Sequence, residues 1–264
     1  MECLICGRFG LNTIFSYASA DKYEKYCKLK GHIRFWQQCE NCGFYQAWHT
    51  YDTENLDYVY VNGYRDTGFR HESIKDVFVK ISNLPNSESE NHYRTQWFRN
   101  HIGFGNGQVL DIGSGFGIWP WSLNNMSWNV ECIEPNKESV DFINTVLGIK
   151  CYPGFFNSCL EKKWDVISVV HVLEHIRNID SFLHRIWTGL KDAGRLFIEV
   201  PDACEFNYLP KGHDEFNSCH LWFFELATLE RLLKRNGFEI EHAHRVFYPK
   251  RKLSRIMMLC SKCL

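Results

Sequence analysis

No apolar run in this 264-residue chain is long enough to span a bilayer, and the N-terminus, Met-Glu-Cys-Leu-Ile-Cys, lacks the basic and apolar segments of an export signal. A cytoplasmic location is expected. Excess charge is lacking too: 30 Lys and Arg against 31 Asp and Glu leave a formal net charge of −1, which gives no general attraction to nucleic acid. There is no internal repeat, which excludes a solenoid, and no low-complexity segment. Cysteine is present in quantity, with twelve residues. Without an export signal these read as reduced thiols or metal ligands and not as a disulfide framework.

Four of the cysteines fall into two matched knuckles, Cys3-x-x-Cys6-Gly and Cys39-x-x-Cys42-Gly. Each knuckle brings two thiolates out of one tight turn, so the pair can close a tetrahedral structural zinc site. A closed four-cysteine site has no open position for chemistry; its role is to hold together a module too small for its own core. Cys27 lies between the knuckles. Cys260-x-x-Cys263 is a third pair with no facing partner pair, and buried thiols are the expectation there.

The segment Val109-Leu-Asp-Ile-Gly-Ser-Gly-Phe-Gly117 runs from an apolar strand through Asp111 into glycine at alternate positions, with no lysine nearby to serve a phosphate. A second acid, Glu134, follows the next predicted strand, where a carboxylate can hold both hydroxyls of a ribose. Strands are predicted at Gln108 to Ile112, Asn129 to Ile133, Lys150 to Tyr152, Asp165 to Val170, Arg195 to Val200, Phe238 to Ala243 and Arg255 to Leu259. Helices are predicted at Lys137 to Val146, Ile179 to Leu190 and Leu226 to Asn236, the last stopped by Gly237. This alternation makes an α/β, Rossmann-like doubly wound sheet with its ligand crevice at the carboxyl ends of the strands. Motif and second acid together resemble the class I S-adenosylmethionine (SAM) methyltransferases. The resemblance implies seven strands with the last antiparallel, Glu134 on the cofactor ribose, and Asp111, Gly113, Gly115 and Gly117 around its methionine end.

Where the strand at Asp165 ends, the chain reads His171-Val-Leu-Glu174-His175. On a helical turn the first, fourth and fifth of these share a face, so two imidazoles and a carboxylate can converge. The letters also match the H-x-x-E-H of inverted zinc peptidases, but that signature needs a long helix, and this one follows a buried parallel strand. The segment is similar to the Glu-x-x-Glu-His of small-RNA 3′-terminal ribose methyltransferases and ubiquinone-pathway O-methyltransferases, which bind a divalent metal there. That resemblance implies a metal held by His171, Glu174, His175 and a distant His220, with His171 in place of the first glutamate. Three imidazoles and one carboxylate suit Mn²⁺, Fe²⁺ or Zn²⁺ better than Mg²⁺.

Glu199-Val-Pro-Asp202 and the loop from His213 to His220 border the same crevice, and Tyr93-Arg94 precedes the first sheet strand. With the knuckles, this arrangement resembles methyltransferases of bacterial surface-polysaccharide pathways, which act on sugars or nucleotide sugars. Aromatic crowding at Trp36, Trp48, Tyr51, Tyr58, Tyr60 and Tyr64 does not decide the substrate. The basic run from Lys250 to Arg255 reads as a solvated loop. The expected organisation is a zinc-ribbon-like module at 1–55, a linker and helical cap at 56–92 and a SAM-binding domain at 93–264, with the main boundary just before or within Asn83 to Asn91. The expected function is O-methylation of a sugar or nucleotide sugar with His175, His220 and Glu174 as catalytic groups. Alternatives are an RNA methyltransferase with a zinc module, and a non-catalytic SAM-binding or zinc-mediated interaction protein.

Overall fold

In the computed structural model, which describes residues 2–29, 31–63, 72–156, 163–248 and 253–263, the Val-Ile-Ser-Val-Val run lies in the central strand of a seven-stranded sheet. The N-terminal quarter contains β1 (Leu11–Tyr17), α1 (Lys22–Tyr26), β2 (Arg34–Cys39) and β3 (Tyr45–His49), then a 3-10 turn at Thr53–Leu56 and a π turn at Val59–Gly63. Next come α2 (Ile74–Ser82), α3 (Glu90–His101), β4 (Gln108–Ile112), α4 (Ile118–Asn125), β5 (Asn129–Glu134), α5 (Lys137–Thr145) and β6 (Lys150–Pro153). The remainder is β7 (Trp164–Val170), α6 (Ile179–Gly189), β8 (Leu190–Pro201), β9 (Trp222–Phe223), α7 (Leu226–Arg235), β10 (Phe238–Tyr248) and β11 (Leu253–Lys262). Of the sequence features singled out above, Tyr64 and residues 250–252 of the basic run lie outside the described residues.

The large sheet has the order β10-β11-β8-β7-β4-β5-β6, with β11 antiparallel to both neighbours and the β8-to-β6 half parallel. All seven predicted strands are present. β10 and β11 run several residues longer than the apolar pattern suggests, because each extends the other's hydrogen-bonded ladder as far as Tyr248 pairing Leu253. Helix α6 stops at Gly189, and Leu190 already belongs to β8.

Apolar side chains cover both sheet faces. Phe182, Leu183 and Ile186 of α6 and Leu229, Leu232 and Leu233 of α7 pack with Ile112, Ile167 and Ile198 on one side. Trp97 and Phe98 of α3, Leu123 of α4 and Ile143 of α5 pack with Val109, Val166 and Phe197 on the other. Each such burial contributes about 1.5–3 kcal/mol. Side-chain caps start the helices: Ser73, Ser89, Asn136 and Asn178 each accept a backbone N–H from the first turn of α2, α3, α5 and α6. No helix among the described residues is long and apolar enough to cross a membrane.

A second sheet, ordered β1-β2-β3-β9, was not legible beforehand. Its fourth strand is the two-residue β9, too short to show a period, and Tyr45 pairs with Phe223 across more than half the chain. Trp36 and Tyr45 of this sheet share a core with Phe206, Phe216 and Phe223, so the N-terminal module packs directly onto the loop that precedes α7.

Candidate active site

The turn after β4 needs its glycines: Gly113, Gly115 and Gly117 have φ of 74°, 54° and 75°, left-handed backbone that other residues enter at a cost. A Cβ on Gly113 would lie 2.4 Å from Val172 Cγ2. Glu134, at the end of β5 and 4% exposed, clamps this turn. One carboxylate oxygen accepts the Gly115 N–H at 2.8 Å and the other the Asn136 N–H at 2.9 Å. The Glu134 carboxylate also lines a neighbouring cavity. Asp111 sits beneath the turn, 2% exposed, where Ser168 Oγ donates to it at 2.6 Å. Burial pushes its carboxyl up to about 7, against the hydroxyls of Ser168 and Ser114.

The cavity measures about 480 Å³, within the range of small-molecule sites. Ile112, Gly113, Ile133, Glu134, Pro135 and Phe156 line its base, and His171, Val172 and His175 its inner end. Its outer wall comes from the N-terminal quarter, which sequence reasoning did not assign to the site. Asp57 forms a bidentate pair with Arg177 at 2.7 and 2.8 Å, Asn136 Nδ2 donates to the Val61 carbonyl at 3.0 Å, and Tyr60 OH donates to the Cys219 carbonyl at 3.0 Å. Asp57, Tyr60 and Arg177 all line the cavity. Of these, only Tyr60 stood out in the sequence, and only as an aromatic.

The four residues expected to meet at one ion divide into two groups. Donor atoms of Glu174, His175 and His220 lie within 4.8 Å of one another; those of Glu90, His171 and Glu199 form a second such set. The cause is local backbone. Leu173–His175 is a 3-10 turn and not an α-helical one, and His171 precedes it at φ 54°, strained for a residue with a Cβ. His171 Nε2 thereby approaches Glu199 Oε1 at 3.1 Å, while its Nδ1 is 3.5 Å from Glu174 Oε1. Burial alone would lower the imidazole, but Glu174 and Glu199 outweigh it and bring it to about 9.

The other two imidazoles are oriented by carbonyls. His175 Nδ1 donates to Cys219 O and His220 Nδ1 to Glu215 O, each at 2.8 Å, which makes Nε2 the lone-pair nitrogen whenever the ring is neutral. The rings meet edge-on with centroids 4.8 Å apart. Burial lowers His175 to about 4, and Glu174, 1% exposed, is held at about 2 against its own burial by the three histidines. Glu174 Oε2 is buried without a hydrogen-bond partner among the described residues. Two fixed imine nitrogens and an orphaned carboxylate oxygen are a donor set that fits a divalent cation.

The knuckles also meet. Cys3 Sγ is 3.5 Å from Cys42 Sγ and Cys6 Sγ 3.6 Å from Cys39 Sγ, and all four sulfurs lie within 4.8 Å of one another. Tetrahedral ligands at zinc–sulfur bond length stand about 3.8 Å apart, so the arrangement fits such an ion. Burial raises the Cys3 and Cys42 thiols, a cost that a bound dication would offset. Cys27 is outside the set, its thiol directed at Asn55 O. The C-terminal pair splits, Cys260 buried and Cys263 exposed.

This module holds the loop that carries His220. Asp21, the N-cap of α1, also accepts from Ser218 N at 2.6 Å and Ser218 Oγ at 3.0 Å; Arg34 Nη1 donates to Phe216 O at 2.6 Å; Ala47 N donates to Leu221 O at 2.8 Å. His49 Nε2 donates to Ser218 O at 3.1 Å. Burial and the Arg34 guanidinium lower His49 from 6.5 to about 4. The unfolded ring thus takes a proton at higher pH than the folded one, so stability falls as pH drops from about 6.5 toward 4. Melting temperature should decline over that window, and less steeply in His49→Gln; parallel slopes for the two proteins would remove His49 from the account.

A family model described as a methyltransferase domain matches residues 70–243. The ubiquinone biosynthesis O-methyltransferase of rat mitochondria is 23% identical over 51% of this chain and 45% of its own length; that of Rickettsia bellii is 22% identical over 53% and 65%. The match therefore spans about half to two thirds of these relatives. The 1,6-didemethyltoxoflavin-N1-methyltransferase of Burkholderia thailandensis, solved with bound 1,6-didemethyltoxoflavin and S-adenosylhomocysteine, superposes with a TM-score of 0.54 at 18% identity, covering 72% of this chain and 87% of that one. The cyclase SpnF gives 0.53 at 14%, covering 65% and 80%. Likeness at these identities establishes the fold.

Proposed function

Because the chain belongs to the methyltransferase-domain family over residues 70–243, we propose that it transfers a methyl group from SAM to a hydroxyl oxygen of a sugar or nucleotide sugar in surface-glycan biosynthesis. The observation that carries this reading is a cavity of about 480 Å³ lined by Glu134, by Gly113 of the triple-glycine turn, and by His171 and His175. Bound SAM supplies an electrophilic methyl on a sulfonium. The Glu134 carboxylate accepts the two ribose hydroxyls, Gly113 lets the backbone lie against the methionine end, and Pro135 and Phe156 give apolar contact. The segment from Asp57 to Val61 closes the outer wall and excludes water.

Glu174, His175 and His220 would hold a divalent ion, Mn²⁺ or Fe²⁺ ahead of Mg²⁺, whose chemistry is to acidify a coordinated hydroxyl. His171 belongs beside this group, as a protonated ring between Glu174 and Glu199. The fixed tautomers of His175 and His220 support ligation, since a ring held near 4 is a weak base for an alcohol. Zinc at Cys3, Cys6, Cys39 and Cys42, and the division into a module at 1–55, a capping segment at 56–92 and a SAM-binding domain at 93–264, belong to the same proposal.

The curated relatives, named for ubiquinone biosynthesis, favour a second reading in which the acceptor is a quinol-type hydroxyl. Binding of an RNA acceptor has little support at a net charge of −1 and would show as a salt-dependent mobility shift. Titration of SAM into the protein, followed by transfer from label-bearing SAM to sugar or catechol acceptors, separates these readings. For the module, about one zinc per chain is expected, reduced in Cys39→Ser along with activity, because His220 sits on the loop that the module holds. Undiminished zinc after replacing both Cys3 and Cys6 would rule the site out.

A further inference from the structure

Tyr60 comes from the N-terminal quarter, yet it lines the cavity and its hydroxyl reaches the group that the proposed chemistry uses. The phenol oxygen donates to the Cys219 carbonyl at 3.0 Å and lies 3.1 Å from His175 Nδ1. His175 Nδ1 is itself 2.8 Å from the same carbonyl, and the two rings meet edge-on with centroids 5.4 Å apart. A tyrosine hydroxyl, an imidazole nitrogen and a carbonyl oxygen thus form a closed triangle.

One placement of protons satisfies all three sides. A carbonyl oxygen has two lone pairs and no proton, so at 2.8 Å His175 Nδ1 must carry the hydrogen, and the other lone pair takes the tyrosine O–H. The phenol oxygen then presents a lone pair to Nδ1–H, which two oxygens share. The opposite tautomer would set a bare Nδ1 against the carbonyl lone pairs and leave Nε2 with a proton instead of a lone pair.

The two oxygens are held in place independently of His175. On one side of Tyr60, Asp57 pairs with Arg177; on the other, the Val61 carbonyl accepts from Asn136 Nδ2, and the Asn136 backbone N–H is held by Glu134. The tyrosine ring packs against a core of Tyr23, Leu56 and Val59. Around the carbonyl, Cys219 N donates to Asn217 Oδ1 and Leu221 N to Glu174 O, each at 2.8 Å. We propose that Tyr60 is a positioning residue for the transfer, whose hydroxyl holds His175 in the Nδ1–H tautomer and so leaves Nε2 as the lone-pair nitrogen of the Glu174, His175 and His220 group. The segment from Asp57 to Val61 thereby sets the state of a reacting-end side chain as well as excluding water.

This role rests on the methyltransferase reading, and one set of measurements separates the two. The ring nitrogens of His175, identified by their loss in His175→Gln, are read by long-range proton–nitrogen NMR in metal-free protein saturated with S-adenosylhomocysteine. Wild type should show a protonated Nδ1 and an unprotonated Nε2. Tyr60→Phe keeps the ring and its packing, but Nδ1–H loses one acceptor and the Cys219 carbonyl one donor. The two nitrogen signals should therefore move toward each other as the second tautomer becomes populated. Mn²⁺ affinity and kcat should each fall about 10- to 100-fold, as when a ligating imidazole loses a partner that orients it, with S-adenosylhomocysteine affinity and KM for SAM within about twofold of wild type. Tyr58→Phe, which removes a phenol from the same segment at a residue 55% exposed, should leave the His175 signals where they are. Unshifted His175 signals in Tyr60→Phe that folds and binds S-adenosylhomocysteine, or a wild-type ring protonated on Nε2, would overturn the role. Failure of wild type to bind S-adenosylhomocysteine would instead overturn the methyltransferase reading, and the part of Tyr60 in transfer with it.

Discussion

His220→Ala should lower kcat by about a hundred- to ten-thousandfold while SAM affinity barely moves. His220 is 7% exposed, its Nδ1–H is committed to Glu215 O, and its ring meets His175 edge-on beside Glu174. Its proposed place is at the reacting hydroxyl, and it is not among the residues that line the Glu134 cavity. Chelation should reproduce the loss, and Mn²⁺ or Fe²⁺ should restore the wild type but not the variant. If dialysed, metal-free protein methylates its acceptor at full rate, ligation is the wrong role, and His175 or His220 as a general base replaces it. Activity changes should be read beside circular dichroism, because the loop bearing His220 is also held by Asp21, Arg34 and His49.

Glu134→Ala is the second large effect. The carboxylate would hold two ribose hydroxyls, and it also accepts the N–H groups of Gly115 and Asn136. Losing the charge-assisted bonds to the ribose costs about 2–4 kcal/mol, or roughly 30- to 1,000-fold in SAM affinity. Loosening the glycine turn adds to the loss. Calorimetry on the folded variant reads this directly, and unchanged affinity would remove Glu134 from the cofactor site.

The sheet, the glycine turn and the acid that clamps it were legible because their determinants are local. The apolar run at Val166 to Val170, the left-handed turn at Gly113 to Gly117 and the acid at the end of β5 each announce themselves within a few residues. The knuckles likewise had only to meet, and their sulfurs do. What escaped the sequence depends on distant partners. Spacing suggested that His171 shares a helical face with Glu174 and His175, but a left-handed residue followed by a 3-10 turn sends it toward Glu199 and Glu90, which arrive from β8 and α3. The outer wall from Asp57 to Val61 and the pairing of β3 with β9 depend on contacts more than a hundred residues apart or on two-residue strands, neither of which leaves a periodic trace.

The central claim is that the Glu134 cavity delivers a methyl group from SAM to a hydroxyl at the Glu174, His175 and His220 group. It is tested most directly by incubating metal-replete protein with SAM carrying an isotopic methyl label and a panel of sugar and nucleotide-sugar acceptors, followed by mass spectrometry of the products. The account predicts one labelled methyl on a hydroxyl oxygen of the sugar, formed by wild type and lost in His220→Ala. SAM binding with no label in any acceptor under these conditions would contradict it and leave a SAM-binding protein without turnover.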